Sequence, residues 1–432
     1  MSFLGFIFSD WYNDRLEKGR IAEGSHMEHF ELLGVDAERD GDRVVGRCTG
    51  PLADVVDPFF QIALARMSRN KPIAVRDGGN VYTMYHPPFP SAAGMRALAD
   101  NLKENVLKIK VPTTVTLAVT YRCPLDCIHC SAEQRRKDDT RPELSTDEMK
   151  RAIRESVDLG VVNVTLTGGE PLLRKDIYQL IAEVDRSKAR CILFSNGLLI
   201  NNEKAKHLAD SGLYGINISL DSYIESKHDK WRRNPGCHRE ALMAIDICLA
   251  AGLLTGISTY ISRSDLQEGN LERLIEMSRS LGIHQLTVFE PVPTGALLEK
   301  VDWMLTPAEK RRVVEICERY NDGALPGIIA QSHINSPSGS GCFAAFFQFY
   351  LSAYGDISPC DFTPLIFGNI LDDDLKTIWD RMTSFEEYSG RKLSCRMQNP
   401  EFRAKYVDPI VLSGEKLPYD VCEDKAGVFK DK

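Results

Sequence analysis

Three cysteines, Cys123, Cys127 and Cys130, fall within the stretch TYRCPLDCIHCS at the spacing C-x3-C-x2-C. A disulfide pairs two thiols and leaves the third over, and a tetrahedral zinc site asks for four ligands. Thiolates at these offsets on a tight loop can face three corners of a cube. A four-iron cubane is usually held by four cysteines. With three, one iron keeps an open position for an exogenous ligand. Zinc is the alternative for this loop, yet His129 lies between two of the other donors and is badly placed as a fourth.

Other stretches carry chemistry of their own. In TGGEP, Gly168 and Gly169 allow the backbone to approach a ligand, and Glu170, followed by Pro171, offers a carboxylate to a cationic amine. Ser195 and Asn196 in FSNG, and Ser219 and Asp221 in ISLDS, suit polar contacts. Helix capping explains such residues equally well. Arg232 in HDKWRRNPG reads as a surface-loop residue, with a contact to a substrate or cofactor carboxylate as the alternative. The run Arg135, Arg136, Lys137 precedes two aspartates and reads as a solvated loop. EPVPTG, Glu290 to Gly295, is either a lining of the same mouth or a proline-rich exit loop. Further on, Cys342, Gly355 and Cys360 are spaced C-x12-G-x4-C, with Tyr354–Asp356 as a turn that brings the two thiols together. Cys191, Cys248 and Cys317 fit the core, and Cys237 is a candidate reactive thiol in a loop.

Short β-branched runs alternate with amphipathic stretches from about Thr113, and these must position the residues above. Strands are predicted at Val115–Val119, Val162–Leu166, Ile192–Phe194, Ile216–Leu220, Gly256–Ile261 and Gln285–Phe289. Helices lie between them. In STDEMKRAIRESVDLG, Ser145 and Glu148 have capping-box spacing and Gly160 sits where a terminating glycine belongs. Six βα units in series imply an α/β fold with a parallel sheet, short of the eight that close a full barrel. A partial, open (β/α)6 TIM-like barrel is the expectation, with a flat doubly wound sheet as the alternative. In either, chemistry gathers at the carboxyl ends of the strands. The cysteine loop, TGGEP, SNG and Asp221 follow the first four strands in order. The expected organisation is a small α+β region over 1–111, the core over 112–296 and a separate C-terminal domain over 297–432.

The 432 residues are 43% hydrophobic and 26% charged, with a formal charge of −8, which gives no case for a nucleic-acid partner. The start MSFLGFIFSDWYNDRL is too short in its apolar run for a signal or a spanning helix. It is expected to pack on the protein or a partner, with a membrane surface as the alternative. A cytoplasmic location, with the twelve cysteines mostly reduced, follows as the expectation.

C-x3-C-x2-C with an aromatic just before its last cysteine, here His129, resembles the cluster loop of the radical S-adenosylmethionine (radical SAM) superfamily. The resemblance implies that Cys123, Cys127 and Cys130 hold a [4Fe-4S] cluster whose open iron binds the methionine end of S-adenosylmethionine. Reductive cleavage would give a 5′-deoxyadenosyl radical for hydrogen abstraction, with an external electron donor such as flavodoxin or ferredoxin. Gly168, Gly169, Glu170 and Pro171 look like the family's GGEP motif. His129, Ser195, Asn196, Ser219 and Asp221 are similar to its other cofactor-binding positions. Cys342, Gly355 and Cys360 resemble the opening of a SPASM/twitch domain, which implies one auxiliary iron–sulfur cluster on Cys342, Cys360, Cys395 and Cys422. The further cysteines of a full SPASM domain are missing, so a zinc site or buried thiols stay open as alternatives. Such relatives modify ribosomally made peptides, mature sulfatases, or build cofactors and tetrapyrroles. Peptide modification (a RiPP-type maturase) leads, with residues 1–111 as a recognition region, and cofactor or tetrapyrrole biosynthesis follows. The rival of another class is a non-catalytic iron–sulfur or zinc protein.

Overall fold

A computed structural model describes residues 33–429 apart from 42, 68–69, 108–109, 138–140, 337–338 and 425–426. The apolar N-terminal stretch, and its packing or membrane role, lies outside the described residues. The chain forms two compact units. One holds the described residues up to Tyr82 with His86–Val111, and the other holds Thr83–Tyr85 with Pro112 onward. Among the described residues no helix is long and apolar enough to cross a membrane.

The first unit opens on an antiparallel hairpin, β1 (Gly34–Asp40) and β2 (Arg43–Thr49). The helix Ala53–Met67 spaces Val56, Phe60 and Leu64 four residues apart and buries them with Leu33, Val44 and Cys48. Asp57 lies within this helix, and its carboxylate accepts from the Cys48 backbone N–H at 2.6 Å. A second small hairpin, β3 (Ala74–Arg76) and β4 (Gly79–Val81), and the helix Ala92–Leu107 complete the unit.

In the second unit, β5 (Thr114–Thr120), β6 (Asn163–Gly168), β7 (Arg190–Ser195), β8 (Gly215–Ser219), β9 (Leu254–Tyr260) and β10 (Gln285–Phe289) pair in parallel, in chain order. Two more parallel strands flank them, β11 (Gly327–Ala330) beside β10 and β12 (Gln348–Leu351) beside β5. β13 (Ile357–Ser358) folds back antiparallel on β12. The edges do not pair among the described residues, so the nine-stranded sheet stays open as a partial barrel. The expected boundary at 296/297 falls inside this sheet.

Alternate strand positions face two different environments. Val115, Leu117, Val164, Leu166, Ile216, Ile218, Leu286 and Val288 join helix residues such as Met149, Ile153 and Ile245 in one apolar core. The opposite positions are polar yet buried, including Asn163, Thr165, Asn217, Ser258, Gln285 and Thr287. The helix Thr146–Leu159 starts on a complete Ser145/Glu148 capping box and ends on Gly160 at φ 124°, as its spacing predicts.

The amino end of the sheet is plugged by three residues from far upstream in the chain. Gln285 Oε1 accepts from Thr83 Oγ1 and from the Met84 backbone N–H, both at 2.9 Å, and Tyr85 Oη lies 2.9 Å from Thr287 Oγ1. Met84 is fully buried. Gly215 and Gly256 make room for it, because a Cβ on either would come within 2.6 Å of its Cε or 3.0 Å of its Sδ.

Candidate functional site

The cysteine loop is built by the end of β5. A register shift against β6 between Ala118 and Thr120 turns the chain outward, with Thr120 opposite Gly168. Glu143 accepts from Thr120 Oγ1 (2.8 Å) and the Tyr121 N–H (2.7 Å), and buried Arg174 donates to Val119 O (2.7 Å) and Leu144 O (3.0 Å). The TGGEP turn lies directly on this loop. Gly169 N donates to Thr120 O at 2.7 Å and Glu170 N to Arg122 O at 2.8 Å. A Cβ at Gly168 would stand 2.1 Å from Thr120 O, and one at Gly169 2.2 Å from Arg122 O. The glycines thus let the second turn seat itself against the first. Gly295, at φ 55°, does the same for EPVPTG: its Cβ would meet Cys130 O at 2.2 Å, and Ala296 N donates to that oxygen at 2.9 Å.

Two arginines stand against the thiols of this loop. Arg232 Nη1 lies 3.9 Å from Cys127 Sγ, and Arg136 Nη1 lies 3.9 Å from Cys130 Sγ. Arg232 is no surface-loop residue. It ends the helix Glu225–Arg232 with its side chain 13% exposed and grips Asp221 through Nε (2.6 Å) and Nη2 (2.9 Å). The expected solvated loop at Arg135–Lys137 is likewise a short helix, Glu133–Lys137, with Arg135 buried. Charge runs mislead here because Arg135 is met by the main-chain oxygens of Asp361 and Thr363, far away in sequence, and Arg136 by the sulfur of Cys130. Burial raises the pKa of Cys123, and raises that of Cys127 to about 11 despite the opposing charge of Arg232. Cys123 and Cys127 are therefore protonated until metal displaces the proton.

Glu170 is buried and accepts from Ser195 Oγ (2.9 Å), the Asn196 N–H (2.8 Å) and the Leu172 N–H (3.2 Å). Of roughly four lone-pair positions on a carboxylate, these leave one. Its first effect is to bind the third turn to the second. Pro171 opens the short 3-10 turn that follows. Asp221 is taken up by Arg232, with His129 Nε2 at 3.8 Å and His228 Nδ1 at 3.7 Å, and the Arg232 charge and hydrogen bonds, aided by the two rings, outweigh burial to hold its carboxyl far below the usual range. Its committed oxygens make it a holder of Arg232. Ser219 closes β8 opposite Ser258 of β9. The His129 ring stacks on Tyr260 at 4.8 Å and lies 5.6 Å from Trp231, neither of which sequence spacing singled out.

Several polar atoms of these turns are buried with no hydrogen-bond partner: His129 Nδ1, Asn196 Nδ2, Tyr260 Oη and Thr294 Oγ1. Each such atom costs about 1–3 kcal/mol if left unsatisfied, so their gathering around three thiols marks a place that a polar ligand completes. The donor set fits an iron–sulfur cluster with a bound polar cosubstrate. Among the described residues no three His, Cys, Asp or Glu side chains stand close enough to grip one metal ion. A cubane spaces its thiolates more widely than a single ion does.

The C-terminal cysteines divide three to one. Cys342, Cys360 and Cys395 are buried. Cys342 N donates to Lys392 O at 2.8 Å, which draws in the Cys395 segment, and Ala345 N donates to Pro359 O at 3.1 Å, which draws in Cys360. Burial raises Cys360 to about 12, and the charges of Cys342 and Cys360 add to burial in raising Cys395. Cys422 is exposed, with its sulfur 3.9 Å from Arg381, and the strongest charges on it come from Asp420, Arg381 and Asp373. Cys191, Cys248 and Cys317 are core residues. Cys237 is buried at the start of the helix Cys237–Ala250, where burial and the Asp229 carboxylate push its thiol up to about 12 and make it unreactive.

Comparison with known proteins follows the same division. Residues 117–277 match the Radical SAM superfamily, and residues 342–401 match SPASM, an iron–sulfur cluster-binding domain. An AdoMet-dependent heme synthase of Oleidesulfovibrio alaskensis is 27% identical over 73% of this chain and 88% of its own length. A PqqA peptide cyclase of Bradyrhizobium diazoefficiens is 28% identical over 72% of this chain and 85% of its own. Streptococcus suis SuiB bound to the precursor peptide SuiA aligns with a TM-score of 0.56 at 17% identity, covering 84% of this chain and 89% of that one. At that identity the likeness is one of fold.

Proposed function

Because the chain belongs to the radical SAM superfamily and carries a SPASM iron–sulfur cluster-binding domain, we propose that it is a maturase acting on an unactivated C–H bond of a peptide. It is a radical SAM enzyme, binding a [4Fe-4S] cluster and S-adenosylmethionine, with an auxiliary cluster in the SPASM domain. When bound, cluster and cosubstrate supply one-electron cleavage of the sulfonium carbon–sulfur bond and a 5′-deoxyadenosyl radical that takes a hydrogen atom. Cys123, Cys127 and Cys130 would hold the first cluster, and Cys342, Cys360 and Cys395 the second, with its remaining ligand from outside this trio. Glu170 holds the second and third turns in register, Asp221 holds Arg232 against Cys127, and His129, Trp231 and Tyr260 exclude water from the mouth. A flavodoxin- or ferredoxin-type donor in a reducing cytoplasm would suit the twelve free cysteines.

The observation that carries the peptide reading is the 28% identity to a PqqA peptide cyclase over 72% of this chain and 85% of that one. A relative named sporulation killing factor maturation protein points the same way. The second reading, cofactor or tetrapyrrole biosynthesis, is favoured by heme synthases that match over 88% and 89% of their lengths. Anaerobically reconstituted protein with S-adenosylmethionine and dithionite is offered, in turn, short peptides encoded beside its gene and an iron tetrapyrrole bearing propionates. The peptide reading expects peptide-dependent 5′-deoxyadenosine and a peptide lighter by hydrogen. Tetrapyrrole-dependent 5′-deoxyadenosine and a tetrapyrrole of altered mass, with every peptide unchanged, would replace it by the second.

A further inference from the structure

Arg135 and Arg136 are consecutive on the helix Glu133–Lys137, so their side chains leave it about 100° apart. Arg136 turns back toward the first thiol site and stands 3.9 Å from Cys130 Sγ. Arg135 turns the other way into the interior. Its Nη1 and Nη2 donate to Asp361 O (2.8 Å) and Thr363 O (3.1 Å), and its guanidinium lies 4.7 Å above the Tyr350 ring. Thr363 Oγ1 is 3.2 Å from Cys360 Sγ, and Tyr350 Oη is 2.7 Å from Tyr121 Oη, two residues before Cys123. One dipeptide therefore reaches both thiol sites.

The energetics argue that this arrangement does more than pack. A buried guanidinium costs several kcal/mol in lost hydration. Among the described residues Arg135 forms no salt bridge, and main-chain oxygens with an aromatic face hold it instead. A helix of five residues cannot keep its own geometry. The anchoring of Arg135 in the turn after Cys360 gives the helix that carries Arg136 a tertiary tie beyond its own turn.

We propose that Arg135 and Arg136 are positioning residues that couple the two iron–sulfur sites, Arg136 setting the electrostatic field at the first and Arg135 tying that field to the structure of the second. The inference rests on the reading that both thiol sets hold clusters. A guanidinium beside a thiolate ligand favours the electron-rich, reduced state. In Arg136→Met the reduced-to-oxidised ratio of the first cluster at a fixed potential should fall about tenfold, equivalent to about 59 mV for one electron. Arg136→Lys should restore part of it.

The deciding variant is Arg135→Met, which removes a side chain that touches no first-site thiol. Midpoint potentials and electron paramagnetic resonance spectra of each cluster are recorded for wild type and variants, with iron content and Tm beside them. Coupling expects Arg135→Met to shift the first-site midpoint to more negative values and alter its spectrum at full iron content. Arg135→Lys, which keeps the charge and loses the forked donation to the two carbonyl oxygens, should shift it the same way if Arg135→Met fails to fold. A first-site midpoint and spectrum at wild-type values in the folded variant overturns the coupling. A wild-type protein that assembles no cluster on Cys123, Cys127 and Cys130 overturns the underlying reading, and the inference falls with it.

Discussion

Asp221, Arg232 and Cys127 form a line in which a carboxylate orients a cation and the cation faces a sulfur, and His228 supports its start by accepting the Asp221 N–H at Nδ1, 3.1 Å away. His228 must be neutral at that atom to do so. Burial, opposed in part by Asp221, lowers its pKa from 6.5 to about 4. The unfolded chain then binds the proton first. The contribution of His228 to stability is complete above its unfolded pKa and is lost as pH falls toward the folded one. His228→Asn keeps an acceptor without a titrating ring, and the drop in Tm between about pH 7 and about pH 5 should be smaller than in wild type. An equal drop would remove His228 from the acid response. The two thiol sites differ in the chemistry they serve. Cys123→Ala should abolish 5′-deoxyadenosine formation, and Cys360→Ala should leave part of it, measured by chromatography after dithionite reduction. The cysteine motif and its partner turns were legible in the sequence because their spacing is local. Arg136, Arg232 and the Tyr260–Trp231 wall around His129 were not, since each acquires its meaning from a partner brought close only by folding.

Among the elements, close approach of backbones is what assembles the mouth. Gly169 is one of the narrow points, with Arg122 O 2.2 Å from where a methyl would go. Gly169→Ala must push the cysteine loop and the TGGEP turn apart, at a cost of about 3 kcal/mol. It should lower both Tm and the rate of S-adenosylmethionine cleavage. Wild-type cleavage by this variant would mean that the two turns need not touch. The six βα units were readable from alternation of β-branched runs and capped helices. β11, β12 and β13 were not. They are four, four and two residues long, and β12 reaches β5 across more than two hundred residues of chain, which no local periodicity encodes.

For the whole molecule, the sheet is continuous from the core strands into the segment that bears the second set of thiols. β12 pairs with β5, the strand that delivers the first cysteine loop, and Arg141 clamps Asp356 of the β12–β13 turn with two bonds of 2.8 Å. At the other end of the sheet Met84 fills the space over Gly215 and Gly256. Met84→Ala should destabilise the protein by about 2–5 kcal/mol, read by denaturant unfolding, because no neighbour can collapse into the space without a side chain of its own.

That stopper has a consequence for how the enzyme can be divided. Thr83, Met84 and Tyr85 belong to the barrel by contact but precede its first strand by nearly thirty positions. A cassette begun at Pro112 would inherit every residue of the reactive face and an uncorked base. Proteolytic nicking between residues 86 and 111 would leave the cork held to the barrel through Gln285, Thr287, Gly215 and Gly256. The inheritable module is longer than its chemistry.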